Sequence, residues 1–454
     1  MKTSDLGKFT EEYRNSGALR LHMPGHKGAF GYEDDLTEIK GADGLYAADG
    51  VIKSAEDEIS RLFGSRRSYL GTEGSSQIIK AMCFLAIQNY RQKGGKAQRP
   101  VILATRNAHK AFISAAMLLG FDIAWMSSGD IPFSLCRCEL SPSDLESYIQ
   151  KYDRDEKPAA VFVTSPDYLG NMLDIKGLAE TAHKHGLLFL CDNAHGSYLR
   201  FMKEDRHPLS LGADMTSDSA HKTLPVLTGG AFLHISKNAP EGIEKDAKHA
   251  LLTFGSTSPS YLILESLAEA PFRIDRDSYA DTAGTLKDLR NELISIGYRL
   301  YGDEELKLVI DLRNSALTGP EFADGLRKYK IECEYADPDF VVTMWSPYNI
   351  QPENRKRFTE AMRALLPAYK TADTGVHREF MFTLPMARFM PCEIMYEAHR
   401  TMSVNDPLLK GRIAADTLII CPPAVSPIVM GEVIDENAIE ILKYYGFETV
   451  EVLA

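Results

Sequence analysis

Apolar runs and amphipathic runs alternate between about residues 65 and 235, and this alternation restricts the possible fold more than any other feature of the sequence. The short apolar runs are rich in β-forming residues and predict strands at 101–105, 122–126, 160–164, 187–192 and 231–235. The amphipathic runs predict helices at 76–90, 109–119, 141–151 and 175–185. Strands and helices that alternate at this spacing favour an α/β fold with a mostly parallel sheet covered by helices on both faces.

The chain of 454 residues is too long for one ordinary core, so we expect one large and one smaller domain. A long helix is predicted at 277–296, and it would lead into a second domain with strands at 307–312 and 339–345. The first 50 residues carry little periodicity and are typical of an extended arm. The expected division is an N-terminal arm at 1–50, a large domain at 51–275, and a linking helix with a small C-terminal domain at 276–454.

Composition and charge exclude several classes of protein. The formal net charge of −12 disfavours a nucleic-acid or anionic-membrane partner. The N-terminus has no apolar segment typical of a signal peptide, and the longest apolar run, at 81–87, is far too short to span a bilayer. The seven cysteines are scattered, which favours reduced thiols and a cytoplasmic location. Cys136 and Cys138 lack the further ligands of a zinc site, so no metal site is expected.

Lys222 is the strongest candidate for a functional residue. Ser219 precedes it by three positions, and a predicted strand that ends in Asp192 lies upstream. A pyridoxal phosphate (PLP) enzyme needs such a set: the amine forms a Schiff base, the hydroxyl meets the phosphate, and the carboxylate keeps the pyridine nitrogen protonated. In a mostly parallel sheet the ligand lies beyond the carboxyl ends of the strands, where Asp192 stands. Taken alone, Asp192 could instead cap the next segment.

Several segments together resemble the ornithine/lysine/arginine decarboxylase family, whose members are fold-type I PLP enzymes with the aspartate-aminotransferase architecture. These segments are Leu-His-Met-Pro-Gly-His-Lys-Gly at 21–28, Asp-Leu-Thr-Glu at 35–38, Asn-Ala-His-Lys at 107–110, Thr-Ser-Pro-Asp-Tyr-Leu-Gly at 164–170, Asp-Asn-Ala-His-Gly at 192–196, Ser-Ala-His-Lys-Thr-Leu-Pro at 219–225, Thr-Ser-Pro-Ser-Tyr at 257–261, and Pro422-Pro423. The resemblance implies a large domain with a mostly parallel seven-stranded sheet and a smaller α/β C-terminal domain. It also implies the short form of the family, without an N-terminal wing domain.

The resemblance implies a role for each matching residue around the cofactor ring. Lys222 would hold PLP and return a proton after CO2 leaves, and Asp192 would form a salt bridge with the pyridinium nitrogen. Ala194 would let the ring lie close, while His195 would approach the 3′-oxygen of the ring. His109 would stack on the face of the ring, although a histidine at a helix start is also a common cap, and His195 could be purely structural.

Phosphate contacts are expected on two sides of the cofactor. The first group precedes a predicted helix, whose N-terminus favours anions, although it could merely cap that helix; it comprises Thr72, Glu73, Gly74 and Ser75. Glu73 stands where relatives usually carry serine, so we expect contact through the backbone there. Ser219 and His221 would contact the phosphate from the other side.

The segment 257–261 resembles one that reaches into the active site of a neighbouring protomer. The resemblance therefore implies a homodimer or higher oligomer with a shared site, to which Ser258 would contribute; an ordinary loop is the alternative.

The function implied is decarboxylation of arginine, lysine or ornithine to agmatine or a diamine, a step of polyamine biosynthesis. Another fold-type I activity, an aminotransferase or a lyase, would need the same cofactor residues, and Arg388 and Arg412 are available to bind a substrate carboxylate. A catalytically silent regulatory homologue is a further alternative. The segments 422–426 and 430–432 depart from the family, and we hypothesise that Glu432 meets the distal cation of the substrate.

Overall fold

The structure is a computed structural model that describes residues 2–127, 132, 134–152, 157–372, 375–416 and 425–454. Its helices are α1 (Asp5–Asn15), α2 (Val51–Phe63), α3 (Gly74–Gln92), α4 (Lys110–Leu119), α5 (Pro142–Ile149), α6 (Ile175–Lys184), α7 (Ala220–Thr223), α8 (Ala247–Thr253), α9 (Tyr261–Arg273), α10 (Arg276–Ile296), α11 (Gly319–Arg327), α12 (Pro352–Tyr369), α13 (Pro391–Ile394) and α14 (Glu436–Tyr444). Its strands are β1 (Arg67–Gly71), β2 (Val101–Thr105), β3 (Asp122–Met126), β4 (Ala160–Thr164), β5 (Leu188–Asp192), β6 (Met215–Asp218), β7 (Ala231–Ile235), β8 (Leu300–Tyr301), β9 (Lys307–Asp311), β10 (Tyr335–Ala336), β11 (Phe340–Met344), β12 (His399–Ser403) and β13 (Thr449–Leu453).

A seven-stranded sheet forms the centre of the large domain, in the order β1-β7-β6-β5-β4-β2-β3. The strands from β3 to β6 pair in parallel, whereas β7 runs antiparallel to both β6 and β1. The sheet is therefore mostly parallel, and the prediction from the sequence is confirmed.

Both faces of this sheet are covered, as its apolar strands require. Phe162 of β4 packs in one cluster with residues of α3 and α4, such as Ile78 and Phe112. Its neighbours Val161 and Val163 point to the other face, into a second cluster with residues of α5 and α6. Because successive side chains of a strand point to opposite faces, a strand that is apolar throughout needs helices on both sides.

The predicted strands β2, β3, β4 and β7 have the observed bounds, but β1 and β6 were missed. Strand β6 reads Met-Thr-Ser-Asp, yet its polar residues Thr216, Ser217 and Asp218 are fully buried. A pattern of apolar residues cannot find such a strand. The segment expected to be an arm contains helix α1, with Leu6 buried and Ser4 bonded through its backbone N–H to the Glu269 carboxylate at 2.8 Å.

The rest of the chain contains two smaller sheets. Helix α10 ends before Gly297, close to the predicted bounds, and leads into a four-stranded sheet in the order β10-β11-β9-β8. Strands β12 and β13 pair as an antiparallel ribbon. Among the described residues, no helix combines the length and the apolar character that crossing a bilayer requires.

Candidate active site

The carboxyl ends of β1, β2, β4, β5 and β6 lie at one edge of the central sheet. Strands β1 and β6 are both antiparallel to β7, so they run in the same direction as each other. Their last residues, Gly71 and Asp218, pair with neighbouring residues of β7, Ala231 and Phe232. The segments that follow these strands therefore meet at this edge, and they carry most of the predicted site residues.

Lys222 and His195 are in direct contact there. The Lys222 Nζ lies 3.0 Å from the His195 Nε2. Burial lowers the pKa of His195 well below its ordinary range, and the charge of Lys222 acts in the same direction. His195 is therefore neutral, and its Nε2 accepts from the ammonium, which assigns the ring proton to Nδ1. This Nδ1 is buried and has no hydrogen-bond partner among the described residues.

Asp192 is the last residue of β5 and is 2% exposed. Its Oδ1 accepts a hydrogen bond from the backbone N–H of Ala194 at 3.3 Å. Burial raises the pKa of Asp192 to about 7, against the opposing effect of the Lys222 charge. A cationic ligand beside this buried carboxyl would lower its raised pKa, because a second positive charge would stabilise the ionised form.

His109 is the N-cap of α4, and its Nδ1 accepts from the backbone N–H of Ala111 at 3.1 Å. Burial lowers the pKa of His109 to about 4, with the charges of Lys222 and Lys110 acting in the same direction. The ring is thus a neutral imidazole that carries its proton on Nε2. The capping role that the sequence left open is real, and it leaves the face of the ring available.

The predicted phosphate residues form a polar cradle at the start of α3. The hydroxyls of Ser75 and Ser219 lie 2.7 Å apart, and both residues are buried. Gly74 adopts a φ of +68°, and its N–H donates to the Gly229 carbonyl at 2.8 Å. The Glu73 carboxylate accepts from the Ser256 backbone N–H instead of capping α3. The Glu73 side chain is thus engaged elsewhere, and the expected contact of its backbone with a phosphate stays a prediction.

Two predicted residues stand apart from the cradle. His221 Nδ1 donates to the Gly230 carbonyl at 2.9 Å, so only its other nitrogen remains for a ligand. Ser258 is exposed on the loop after α8, where its backbone N–H donates to the Ser256 hydroxyl at 3.1 Å, and the Ser256 N–H in turn donates to Glu73. Thr72 is buried directly before Glu73.

Tyr168 is a site residue for which the sequence predicted no role. Its ring meets the His195 ring edge-on, with centroids 4.7 Å apart and an interplanar angle of 73°. Its hydroxyl donates to the Glu334 carboxylate, which connects the site to the four-stranded sheet. The motif at 164–170 was the available signal, but a motif does not reveal which side chain faces which.

The hypothesis that Glu432 meets a substrate cation is wrong. Its two carboxylate oxygens accept from Arg106 Nη1 and Nη2 at 2.6 and 2.7 Å, and the two side chains are only 2–3% exposed. Arg106 directly follows β2, so this ion pair joins the loop that carries His109 to the C-terminal domain. Residues 422–424 of the departing segment lie outside the described residues. Arg388, one of the two arginines considered for binding a substrate carboxylate, is exposed.

The donor set fits PLP. Lys222 supplies an amine, Asp192 a buried carboxylate for the pyridinium, and His195 a buried donor without a partner among the described residues. The hydroxyls of Ser75 and Ser219, together with the N-terminus of α3, suit a phosphate.

The model of the Orn/Lys/Arg decarboxylase major domain matches residues 8–283 of the chain. The chain belongs to this family. The family recognised from the sequence motifs is thus confirmed.

Relatives named as arginine decarboxylases agree with this assignment. The chain is 26% identical over 465 residues to the arginine decarboxylase of Bacillus subtilis (strain 168), which covers 93% of this chain and 90% of that protein. It is 24% identical over 466 residues to the arginine decarboxylase of Bacillus anthracis, covering 95% and 91%.

Solved structures of other decarboxylases share the fold. The lysine decarboxylase LdcF of Francisella novicida matches with a TM-score of 0.80 at 16% identity, over 100% of this chain and 81% of that chain. The constitutive lysine decarboxylase of Escherichia coli matches with a TM-score of 0.77 at 16% identity, over 100% and 82%. The PLP fold-type I architecture predicted from the sequence is confirmed.

Proposed function

We propose that this decarboxylase-family protein is a PLP-dependent enzyme that decarboxylates a basic amino acid (arginine, lysine or ornithine) to agmatine or a diamine. The observation that carries the proposal is the contact of Lys222 with a neutral, buried His195 beside the buried Asp192. The names of the relatives support the reaction and the basic class of substrate.

The residues divide the binding task. Lys222 would hold the cofactor covalently, Asp192 would pair with its ring nitrogen, and Ser75 and Ser219 would hold its phosphate. His109 is neutral at pH 7 because its pKa is about 4, so its flat ring can lie on the cofactor without adding charge. His195 can donate from Nδ1, the buried nitrogen that lacks a partner among the described residues.

When bound, PLP supplies an electron sink that accepts the electron pair of the Cα–carboxylate bond as CO2 leaves. Lys222 would first yield its place to the substrate amine, and after CO2 leaves it would deliver the proton that replaces CO2 at Cα. The 3.0 Å contact with His195 Nε2 keeps the Lys222 Nζ at a fixed position for that transfer.

We propose that the active protein is a homodimer. The segment around residues 19–32 exposes a group of large apolar side chains that a partner would cover; these are Leu19, Leu21, Met23, Phe30 and Tyr32. Ser258 is exposed near the site, where it could serve the partner's cofactor. A cytoplasmic location stays a prediction of the sequence.

The purified protein, supplied with PLP, tests the proposal. We expect CO2 release from arginine, lysine or ornithine without formation of a keto acid. Borohydride reduction should attach the cofactor to Lys222, visible as a mass increase of that peptide and absent in Lys222→Ala. Keto-acid formation instead of CO2 would favour an aminotransferase, and a wild-type protein that takes up no cofactor would contradict the enzyme assignment.

A further inference from the structure

A second buried carboxylate lies directly behind the site. Asp218 ends β6, one residue before Ser219, and it is fully buried. Its Oδ2 accepts from His207 Nε2 at 2.8 Å, and both of its oxygens lie 3.1 Å from Asn193 Nδ2. Asn193 and His207 are also fully buried. A charge in such a place persists only where donors surround it.

The tautomer of His207 is assigned by its other nitrogen. His207 Nδ1 accepts from the backbone N–H of Leu209 at 3.2 Å, so the ring proton is on Nε2 and points to Asp218. His234 Nε2 lies 3.8 Å from the same carboxylate oxygen. These three side chains have the chemistry of metal ligands, but His207 offers a proton to Asp218 and no lone pair to an ion.

The network is connected to Asp192 in two ways. Asn193 follows Asp192 directly, so the hydrogen bonds of its side chain to Asp218 hold the backbone that carries Asp192. Its neighbour Gly196 has no room for a side chain, because a Cβ there would lie 2.0 Å from the Asn193 Oδ1.

The second connection is electrostatic. Although burial acts to raise the pKa of Asp218, His207 and the other donors outweigh it and hold that pKa below its ordinary value.

Asp218 is therefore ionised. Because it is fully buried, water screens its charge only weakly from the groups around it. The other titratable groups that face it are His207, His234, Cys191 and Asp192 itself. Burial lowers the pKa of His234 to about 3, so this ring stays neutral and leaves the negative charge of Asp218 in place.

We infer that Asp218, held by His207 and Asn193, is a positioning residue that fixes Asp192 and adds a second negative charge behind the cofactor ring nitrogen. This inference rests on the proposed function, since it concerns the same cofactor. The two carboxylates together would keep the ring nitrogen protonated to a higher pH than Asp192 alone. Asp218 touches neither substrate nor cofactor in this role.

The test follows the ring nitrogen itself, with PLP labelled with 15N in the ring and bound to wild type and to Asp218→Asn. Its NMR shift is recorded against pH at saturating cofactor and without substrate. We expect the deprotonation midpoint of Asp218→Asn to be lower by about one pH unit, with about tenfold weaker binding of PLP. The matched control is Asp214→Asn, which removes another buried carboxylate bonded to a histidine, at the opposite end of β6. The control should keep the wild-type midpoint.

The variants of His207 keep the test decisive if Asp218→Asn does not fold. His207→Gln retains a donor for Asp218 and should behave like wild type, whereas His207→Leu removes the donor and should lower the midpoint. An unchanged midpoint in Asp218→Asn, or in His207→Leu where only that variant folds, would overturn the inference, and so would an equal shift in Asp214→Asn. If wild type itself takes up no PLP at Lys222, the proposed function fails instead.

Discussion

Replacing Glu432 by glutamine is expected to lower the free energy of unfolding by about 3–5 kcal/mol, because the change leaves the buried charge of Arg106 without its partner. The pair is bidentate, at 2.6 and 2.7 Å, and both side chains are only 2–3% exposed. Glu432 also accepts from the Val429 backbone N–H at 2.7 Å, while Arg106 Nε donates to the Ser426 carbonyl at 3.0 Å. A glutamine amide would turn one donor toward another donor.

Urea unfolding of the protein without cofactor measures this change. The matched control is Glu440→Gln, which breaks the exposed ion pair of Arg378 and Glu440 at 2.9 Å. An exposed pair contributes about 0–1 kcal/mol, so this control should remain close to wild type. The double variant Arg106→Met with Glu432→Leu should recover part of the lost stability, because it removes both buried charges. The recovery is incomplete, since the Ser426 carbonyl and the Val429 N–H lose their side-chain partners.

The refuting result is a Glu432→Gln protein as stable as Glu440→Gln. That outcome would mean that water or another group neutralises Arg106. A double variant no more stable than Glu432→Gln would also contradict the reasoning, since the cost would then come from lost packing and not from an unpaired charge.

Three further changes test other parts of the structure. Asp192→Asn should stabilise the cofactor-free protein at pH 8 by up to about 4 kcal/mol, because the raised pKa of Asp192 makes its ionisation in the folded protein costly above pH 7. Urea unfolding should show that the difference from wild type vanishes near pH 4. A variant less stable than wild type at pH 8 would contradict this prediction. His109→Asn should reduce the loss of stability between pH 6.5 and 4, because the folded protein resists the protonation that unfolded His109 accepts; an unchanged pH profile would contradict it. Leu21→Glu, at a side chain 83% exposed, should yield monomers in sedimentation, and a persistent dimer would exclude this surface.

The sequence alone determined the class of the fold, and it predicted the pair of residues, Lys222 and Asp192, on which the proposed function depends. The strands β2, β3, β4 and β7 are apolar because helices cover both of their faces. This requirement affects consecutive residues, so a short stretch of sequence is enough to recognise such a strand. Lys222 and Asp192 were recognisable for a similar reason. Each stands beside a short motif whose members must be neighbours along the chain.

Only the tertiary structure decided the relations between distant residues. Glu432 turned out to neutralise Arg106 at a separation of 326 positions, which no local pattern encodes. Strand β6 is polar, so its place in the sheet and the burial of Asp218 depend on donors brought by His207 and Asn193. Whether a buried charge stabilises or destabilises the fold depends on such partners and on the exclusion of water. Both of these properties arise only when the chain has folded.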